Sequence, residues 1–391
     1  MKRKSNNLKL KRYIWHRFAF TVLRSTLGQL IRLYMGFRPE KSERLTSPTL
    51  ILANHNTDLD PVLAGIGLKR HIYFVSSEHA LRAGFASKLL KFIFDPIPIN
   101  KAITDVSAIR EILRRLTAGA SVCLFAEGDR SFNGVTGPIA LSTAKLVKMS
   151  GVDLITYRFE GSYFVTPRWA KSKRRGVIRG AVAGRYTAEE IKSTPDEVLH
   201  AAIVRDLSVD AYSLQSENPC HFTGRKLAEN IETVLYLCPV CNAIGTIKSK
   251  GRHFFCDCEL YGDFEDTGIL TGVSLPFTSI TEWDAWQYGQ LSDIISSAGY
   301  DAICSDEGQE LFIVNPAESK TFAAKGRMYI DREVFHCAGF NFPLVDISKI
   351  AVAGQQVLLF ATHDGSTYEV RSDTVRSALK YREIFRILSG M

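Results

Sequence analysis

The sequence predicts an α/β domain, then a small cysteine-based module, then a β-rich domain that ends in a helix. Three observations lead to this prediction. Short apolar runs alternate with helical segments over roughly the first 235 residues, which is typical of an α/β layer fold. Two close pairs of cysteines follow, and about the last hundred residues consist mainly of short strand-like runs separated by turns.

The N-terminal segment is strongly basic, because its first 41 residues contain eleven Lys or Arg and a single acid, Glu40. Arginines interrupt every apolar stretch, so none approaches the ~20 residues that span a bilayer. No secretory cleavage site follows a clean apolar core. On a helix, Trp15 and Phe18 fall on one side and Arg17 and Arg24 on another. This pattern indicates an anchor on anionic lipid, or a helix packed on the protein's own core with an Arg-rich outer face, and both can hold.

The α/β domain has six predicted strands, at residues 50–53, 72–75, 97–99, 122–125, 154–157 and 177–183. The clearest helix spans residues 105–118, with Ile109, Ile112 and Leu116 on one face and Gly119 as its terminator. Residues 185–235 are polar and predicted to be helical, chiefly at residues 188–192 and 227–237.

Charge predicts the class of partner. The formal net charge is +8, which favours anionic partners such as lipid headgroups, phosphorylated substrates or nucleic acid. Residues 168–179 add a dense basic stretch, which is predicted to be either a headgroup-facing patch or a solvated loop. Its members are Arg168, Lys171, Lys173, Arg174, Arg175 and Arg179.

Two short motifs carry the candidate chemistry. The first is Asn-His-Asn-Thr-Asp-Leu-Asp at residues 54–60, in which His55 is a possible base and Asp60 a possible partner. The second is Phe-Ala-Glu-Gly-Asp-Arg-Ser at residues 125–131, in which Arg130 is suited to gripping a phosphate. Each motif follows a predicted strand, which is where α/β sheets place ligands. The alternative is a helix N-cap for Asp60, ahead of Pro61, and a solvated surface side chain for Arg130.

These motifs resemble the signature blocks of the glycerolipid acyltransferases, the 1-acylglycerol-3-phosphate acyltransferase family. That family carries Asn-His-x-x-x-x-Asp, matched in full here, and Phe-Pro-Glu-Gly-Thr-Arg-Ser, from which this chain departs at Ala126 and Asp129. Its intermediate block is similar to residues 97–101, with Lys101 where Arg is usual, and its fourth block is faintly matched at residues 152–157. The resemblance covers roughly residues 12–235.

The resemblance implies an O-acyltransferase that uses His55 as general base and Asp60 as its orienting partner. The implied substrate-binding residues are Lys101, Glu127, Gly128, Arg130 and Ser131. The implied donor is acyl-CoA or acyl-carrier protein. The implied acceptor is a lysophospholipid, first of all 1-acylglycerol-3-phosphate, with another lysolipid or glycerol phosphate as the alternative. The oxyanion donor stays open between Lys101 and the Gly128 amide.

Four cysteines predict a small zinc ribbon. Cys238 and Cys241 form one close pair, and Cys256 and Cys258 form another after fourteen intervening residues. Four thiolates in two pairs suit a tetrahedral structural Zn²⁺. A disulfide and chance clustering are the alternatives.

The C-terminal region is predicted to be β-rich. Its strands are expected at residues 311–314, 328–330, 334–336, 357–360 and 368–370, and a last helix is expected at residues 374–388. Antiparallel strands closed by a C-terminal helix resemble a pleckstrin-homology-like module.

The predicted organisation has four parts. Residues 1–40 form a basic membrane-surface segment, residues 41–235 the acyltransferase domain, residues 236–262 the zinc ribbon and residues 263–391 the β-rich domain. We expect a peripheral protein at the cytoplasmic face of the cell membrane. The competing class is a non-enzymatic zinc-ribbon protein that binds lipid or nucleic acid. Nucleic acid is not an expected partner, because basic and aromatic residues are interleaved only near residues 248–253.

Overall fold

The computed structural model describes residues 2–43, 45–77, 94–99, 106–299, 301–315 and 320–390, with the backbone alone for residues 2–12. The described chain divides into two compact units. The first holds the residues up to Phe222 except Arg168–Arg174, and the second holds those residues together with the chain from Thr223 onward. The boundaries predicted from sequence at residues 40, 235 and 262 stay predictions.

A mixed seven-stranded sheet organises the first unit. Its strands are β1 (Phe37–Pro39), β2 (Thr49–Ala53), β3 (Tyr73–Ser77), β4 (Ile97–Ile99), β5 (Val122–Phe125), β6 (Asp153–Glu160) and β7 (Ile178–Tyr186). They lie in the order β1-β7-β6-β2-β5-β3-β4, and each neighbouring pair is parallel except β6 with β7. All six predicted strands are present. The strand β1 was not predicted.

Burial explains why β2 is central. All five of its residues are buried, and Leu50 lies in register with Val122 of β5 on one side and Leu154 of β6 on the other. A continuous apolar run of this kind is typical of a strand covered on both faces. The two motifs therefore follow adjacent parallel strands and meet at the same edge of the sheet.

Helices surround this sheet. They are α1 (Lys2–Ser25), α2 (Leu27–Met35), α3 (Asp60–Leu68), α4 (Val106–Thr117), α5 (Ser142–Ser150), α6 (Ser162–Val165), α7 (Ala188–Ser193), α8 (Asp196–Leu207) and α9 (Ala211–Glu217). The predicted apolar face of α4 is confirmed, because Ile112 and Leu116 are buried in the core beside Val122. Gly119 follows the helix with φ 88°, a left-handed conformation that glycine adopts without steric cost.

The helices α1 and α2 have one buried face and one exposed apolar face. His16, Phe20 and Met35 are buried. The exposed apolar side chains are Ile14, Trp15, Phe18, Val22, Leu27, Leu30, Leu33 and Tyr34. Within the part of the chain that the structure describes, no helix combines the length and apolar character needed to cross a bilayer.

The second unit contains two antiparallel sheets. The smaller one has the order β11-β10-β9-β8, from β8 (Lys248–Lys250), β9 (His253–Phe255), β10 (Tyr261–Phe264) and β11 (Leu270–Val273). The larger one has the order β15-β14-β13-β12-β18-β17-β16. Its strands are β12 (Cys304–Val314), β13 (Lys320–Ile330), β14 (Val334–Cys337), β15 (Phe340–Pro343), β16 (Ile347–Ala353), β17 (Val357–Thr362) and β18 (Thr367–Ser372).

Two helices complete this unit, α10 (Ile280–Ser297) and the terminal α11 (Leu379–Leu388), together with 3-10 turns at Ile231–Thr233 and Leu344–Asp346. The expected fold class is confirmed: an α/β domain, a four-cysteine module, and a β-rich region that ends in a helix. The last helix begins five residues later than predicted. The Ser377 hydroxyl accepts the backbone N–H of Lys380, three residues on, in the manner of a helix cap.

Two sequence predictions are wrong. Residues 227–237 form no helix beyond one 3-10 turn, because Asn230 has φ 74° and its N–H donates to the Ser249 hydroxyl instead of a helical carbonyl. In the basic stretch, Arg168 and Arg174 are neither solvated nor headgroup-facing. Both are buried, and the Arg168 guanidinium donates to the backbone carbonyls of Val352 and Gly354.

Candidate active site

The site begins where β2 ends, in a loop that side chains lock in place. The Asn54 amide donates to the Phe159 carbonyl at 2.9 Å, and its oxygen accepts the Phe159 N–H at 2.7 Å. The Asn56 amide donates to the Ser162 hydroxyl at 2.9 Å. These contacts fix the residues on both sides of His55 to β6 and to α6, so the His55 backbone is held from two directions.

His55 and Asp60 lie together. The His55 Nδ1 is 3.0 Å from the Asp60 Oδ2, and the Asp60 side chain is fully buried. The same Oδ2 accepts the backbone N–H groups of Asn56 and Thr57 at 2.7 and 2.8 Å, and Oδ1 accepts the Thr57 hydroxyl at 2.8 Å. Four donors therefore hold the Asp60 carboxylate in one orientation.

This network assigns the His55 tautomer. The Asp60 carboxylate can only accept a hydrogen bond, so Nδ1 carries the hydrogen and Nε2 keeps a free lone pair to act as a base. Asp60 is the first residue of α3, but its carboxylate bonds to the loop that precedes the helix. The alternative N-cap role for Asp60 is therefore wrong.

An aromatic contact fixes the plane of the imidazole. The His55 ring stacks on Phe125, with 4.2 Å between ring centroids and 25° between planes. The contact arises because Ala53 of β2 lies in register with Phe125 of β5. The second motif includes Phe125, but the sequence predicts no role for it. Its position at the end of the strand next to β2 is the feature that could have predicted this contact.

Glu127 connects the two motifs through backbone contacts. Its Oε1 accepts the His55 N–H at 2.7 Å, and its Oε2 accepts the Gly137 N–H at 2.7 Å. The pKa of Glu127 is raised to about 8, chiefly by burial and also by the charges of Asp60 and Asp129. The two backbone hydrogen bonds act in the opposite direction. Glu127 therefore ties the His55 loop to the segment at Gly137, with one oxygen on each. The substrate-binding role expected for Glu127 stays a prediction.

Arg130 reaches the His55 loop from the second motif. Its Nη1 lies 3.2 Å from the Asp58 Oδ2, and the Arg130 side chain is 13% exposed while that of Asp58 is 85% exposed. Gly128 is exposed, has φ 70°, and has open space where a Cβ would stand. The guanidinium is thus held beside the loop that carries His55, by an acid that solvent largely surrounds.

Ser131 closes the turn after the motif. Its N–H donates to the His55 carbonyl at 3.0 Å. Its hydroxyl donates to the Val135 carbonyl at 2.7 Å and accepts the Gly134 N–H at 2.9 Å. The structure therefore brings His55, Asp60, Glu127, Arg130 and Ser131 together. Lys101 lies outside the described residues.

The four predicted zinc ligands also converge, in the second unit. The ligand atoms of Cys238, Cys241, Cys256 and Cys258 all lie within 4.8 Å of one another. The Cys238 and Cys258 sulfurs are 3.5 Å apart and those of Cys241 and Cys256 are 3.8 Å apart, far longer than the ~2.05 Å of a disulfide. A tetrahedral ZnS₄ centre with ~2.3 Å bonds places its sulfurs about 3.8 Å apart, so these residues fit a zinc ion.

A protein-family model matches part of the chain. Residues 37–160 match the family model described as Acyltransferase, and these residues contain both motifs. No curated protein matches the chain significantly in sequence.

Solved structures give weaker likenesses. The 1-acyl-sn-glycerophosphate acyltransferase PlsC from Thermotoga maritima is 18% identical with a TM-score of 0.38, over 56% of this chain and 98% of that one. The C-terminal domain of an unknown protein from Leishmania infantum is 14% identical with a TM-score of 0.14, over 22% of this chain and 82% of that one. At these scores neither structure bears on the activity of the chain. The family model covers about a third of the chain, at residues 37–160, and confirms its resemblance to the glycerolipid acyltransferases.

Proposed function

We propose that the protein transfers a fatty acyl group from a thioester donor, acyl-CoA or acyl-carrier protein, to the free hydroxyl of a lysophospholipid. The observation that carries this proposal is the 3.0 Å contact between His55 and the buried Asp60, beside Arg130 and inside the residues that match the acyltransferase family. The first acceptor to consider is 1-acylglycerol-3-phosphate.

The chemistry begins with proton removal, because an alcohol is a poor nucleophile at neutral pH. The His55 Nε2 takes the proton of the acceptor hydroxyl as its oxygen attacks the thioester carbonyl carbon. Asp60 stabilises the imidazolium that forms. The tetrahedral intermediate then collapses, the C–S bond breaks, and His55 returns the proton to the departing thiolate. The acceptor itself attacks, so no acyl-enzyme forms. The oxyanion donor is either Lys101 or the Gly128 amide.

Arg130 is proposed to bind the acceptor phosphate. A guanidinium binds a phosphate through two parallel N–H···O contacts, which an exposed aspartate such as Asp58 replaces only in part. Acceptor binding would therefore exchange the Asp58 contact for a phosphate contact. This exchange places the acceptor's glycerol next to His55.

We propose that the enzyme acts at the membrane surface. Trp15 and Phe18 are 47% and 63% exposed, and Leu33 is 78% exposed, although water is an unfavourable environment for all three side chains. An exposed apolar face on a basic segment suits insertion at the headgroup level of an anionic bilayer. We propose peripheral attachment at the cytoplasmic face of the cell membrane.

A zinc ion held by the four cysteines is the proposed cofactor. With all four positions filled by thiolate, the ion would have no open position for substrate, and it would stabilise the fold of the second unit.

A substrate panel tests the proposed reaction. Purified full-length protein is incubated with labelled acyl-CoA or acyl-carrier protein and with lysophosphatidate, other lysophospholipids or glycerol 3-phosphate, and the products are identified by mass. A diacyl product from lysophosphatidate above all others supports the proposal. A product formed only from another acceptor would identify that acceptor as the substrate. Absence of any acylated product, with salt-sensitive nucleic-acid binding, would favour the non-enzymatic alternative.

A further inference from the structure

A second basic site lies at the opposite edge of the parallel sheet from His55. It is a cavity of ≈ 200 Å³ in the first unit, lined by Arg17, Lys69, Arg70 and His71 among others. Residues 69–71 precede β3, whereas His55 follows β2, and both strands run parallel to β5. A five-residue strand separates the two edges by roughly 16 Å. A ligand in this cavity is therefore not the acceptor that reacts at His55.

Two side chains at this cavity have buried nitrogens without a hydrogen-bond partner among the described residues. Arg70 is 9% exposed; its Nη1 donates to the Leu45 carbonyl at 2.6 Å, but its Nε is buried and makes no hydrogen bond. His71 is 2% exposed, and neither of its ring nitrogens has a hydrogen-bond partner. Buried donors without acceptors are rare because they lose their hydration and gain nothing in return. Other atoms of both residues line the cavity, so these nitrogens lie behind its wall and not on its surface, and the His71 ring can report what the cavity binds.

The charges around the cavity have one sign. Arg17, Lys69 and Arg70 line it, and none of its described lining residues is acidic. Burial, followed by the positive charges of His16, Arg115, Arg17 and Arg70, lowers the pKa of His71 to about 3. His71 is therefore a neutral imidazole at pH 7, so the positive charge at the cavity comes from Arg17, Lys69 and Arg70.

We propose that this cavity binds a phosphate group, and that the phosphate belongs to the headgroup of an anionic phospholipid. Three cations around one cavity suit a phosphate, which accepts several charge-assisted hydrogen bonds. Phe18 also lines the cavity and is 63% exposed on the apolar face of α1, so the cavity opens beside a surface suited to acyl chains. The site stands apart from catalysis and does not depend on the proposed reaction.

A double variant tests the site without disturbing the fold. Arg17 and Lys69 are exposed, and Lys69 has φ 54°, a conformation that asparagine tolerates. We therefore choose Arg17→Gln with Lys69→Asn. The matched control is Arg24→Gln with Lys192→Gln, which removes the same charge from the first unit at residues that do not line the cavity.

The first probe is inorganic phosphate at constant ionic strength. Its binding is detected by the NMR signals of the His71 imidazole and by titration calorimetry. The wild type and the control should show saturable binding that perturbs His71. The Arg17→Gln/Lys69→Asn variant should bind about tenfold more weakly or worse, because two charge-assisted contacts are lost. No response at His71, or equal weakening in the control, would overturn the proposal.

The second probe distinguishes a lipid headgroup from the free anion. Phosphatidylcholine vesicles with phosphatidic acid should perturb His71, inorganic phosphate should compete with them, and pure phosphatidylcholine vesicles should give no response. A response to inorganic phosphate alone would keep the anion site and reject the lipid as its source.

Discussion

At the scale of single residues, the Asp60 carboxylate holds the whole His55 loop in addition to the imidazole. It accepts two backbone N–H groups and one hydroxyl from the His55 loop in addition to the imidazole. Loop conformation and His55 tautomer are therefore set by the same buried group. A change at Asp60 alters both, which makes it a poor choice for separating chemistry from folding.

Arg130 allows a cleaner separation. Arg130→Ala should raise the acceptor KM by about tenfold or more and leave the donor KM nearly unchanged, because one phosphate contact is lost while the thioester site is untouched. Steady-state kinetics with each substrate varied in turn measures both constants.

The control is Asp58→Asn, which removes the exposed partner of Arg130. It should leave the acceptor KM unchanged or lower it, because the guanidinium is freed for the phosphate. Equal increases of both KM values in Arg130→Ala would mean that Arg130 only supports the loop.

Glu127 offers a test of pH dependence. Its pKa of about 8 lies above the usual value near 4.5, so the folded protein holds this proton more tightly than the unfolded chain does. The contribution of Glu127 to the free energy of unfolding is therefore greatest at low pH and declines as pH rises from about 4.5 to about 8. The free-energy difference between wild type and Glu127→Gln, measured by urea unfolding, should fall over that range.

At pH 5, where Glu127 is protonated in the folded protein, Glu127→Gln should lower the unfolding free energy by about 1–3 kcal/mol, because its amide NH₂ cannot accept a backbone N–H. Glu189→Gln, on an exposed carboxylate of α7, serves as the control and should show neither effect. A difference between wild type and Glu127→Gln that rises from pH 5 to pH 8 would contradict the assigned environment.

The pairing of His55 with Asp60 was predictable, because their spacing is local and the chemistry restricts the residue types. The contacts of Glu127 and Phe125 with His55 were not predictable, because they join loops about seventy residues apart. Such contacts depend on strand order, and sequence predicted the strands β2 and β5 but not their adjacency. Asn54 illustrates the same limit, since its partner Phe159 lies on a third strand.

At the scale of elements, α1 combines packing with exposure. His16 and Phe20 are buried while Trp15 and Phe18 are exposed, so one face packs on the core and the other is available to the proposed anchor. Deleting the segment would remove core contacts along with any anchor. Periodicity placed Trp15 and Phe18 on one side but did not predict the buried face. It failed at residues 227–237, where an apolar run is buried without forming a helix.

Substitution of the exposed side chains therefore tests the anchor better than deletion. Trp15→Ser with Phe18→Ser should reduce sedimentation with anionic vesicles several-fold, because the apolar area that enters the headgroup region is lost. The matched control is Met149→Ser with Val198→Ser, which removes two exposed apolar side chains elsewhere in the first unit. Vesicle binding that is equally strong in both variants would place the anchor elsewhere.

The cysteine cluster is a second element with its own test. Metal analysis should find about one Zn²⁺ per chain, lost in Cys238→Ser and retained in Cys220→Ser, which alters a cysteine outside the cluster. The melting temperature should fall with the metal, because thiolate–zinc bonds stabilise the folded state alone. A metal-free wild type that melts no lower than the metal-loaded protein would rule out a structural zinc.

At the scale of the whole molecule, the described candidate catalytic residues belong to the first unit and the cysteine cluster to the second. Chemistry and metal binding should therefore respond to different substitutions. The overall order of α/β domain, cysteine module and β-rich region was predictable because periodicity and cysteine spacing are local signals. The point where one compact unit gives way to the next, at residues 222 and 223, was not, because it depends on long-range contacts.

The central claim is that His55 is the base in acyl transfer, and the most direct measurement compares turnover of the wild type with that of His55→Ala. Turnover is followed by the mass of the diacyl product formed from a thioester donor and lysophosphatidate. His363→Ala, at an exposed histidine of the second unit, controls for loss of an imidazole. His55→Ala should lose roughly 10²–10⁴-fold in rate with its fold intact, as expected when general-base catalysis is removed. Turnover near the wild-type rate in a folded His55→Ala protein would contradict the mechanism.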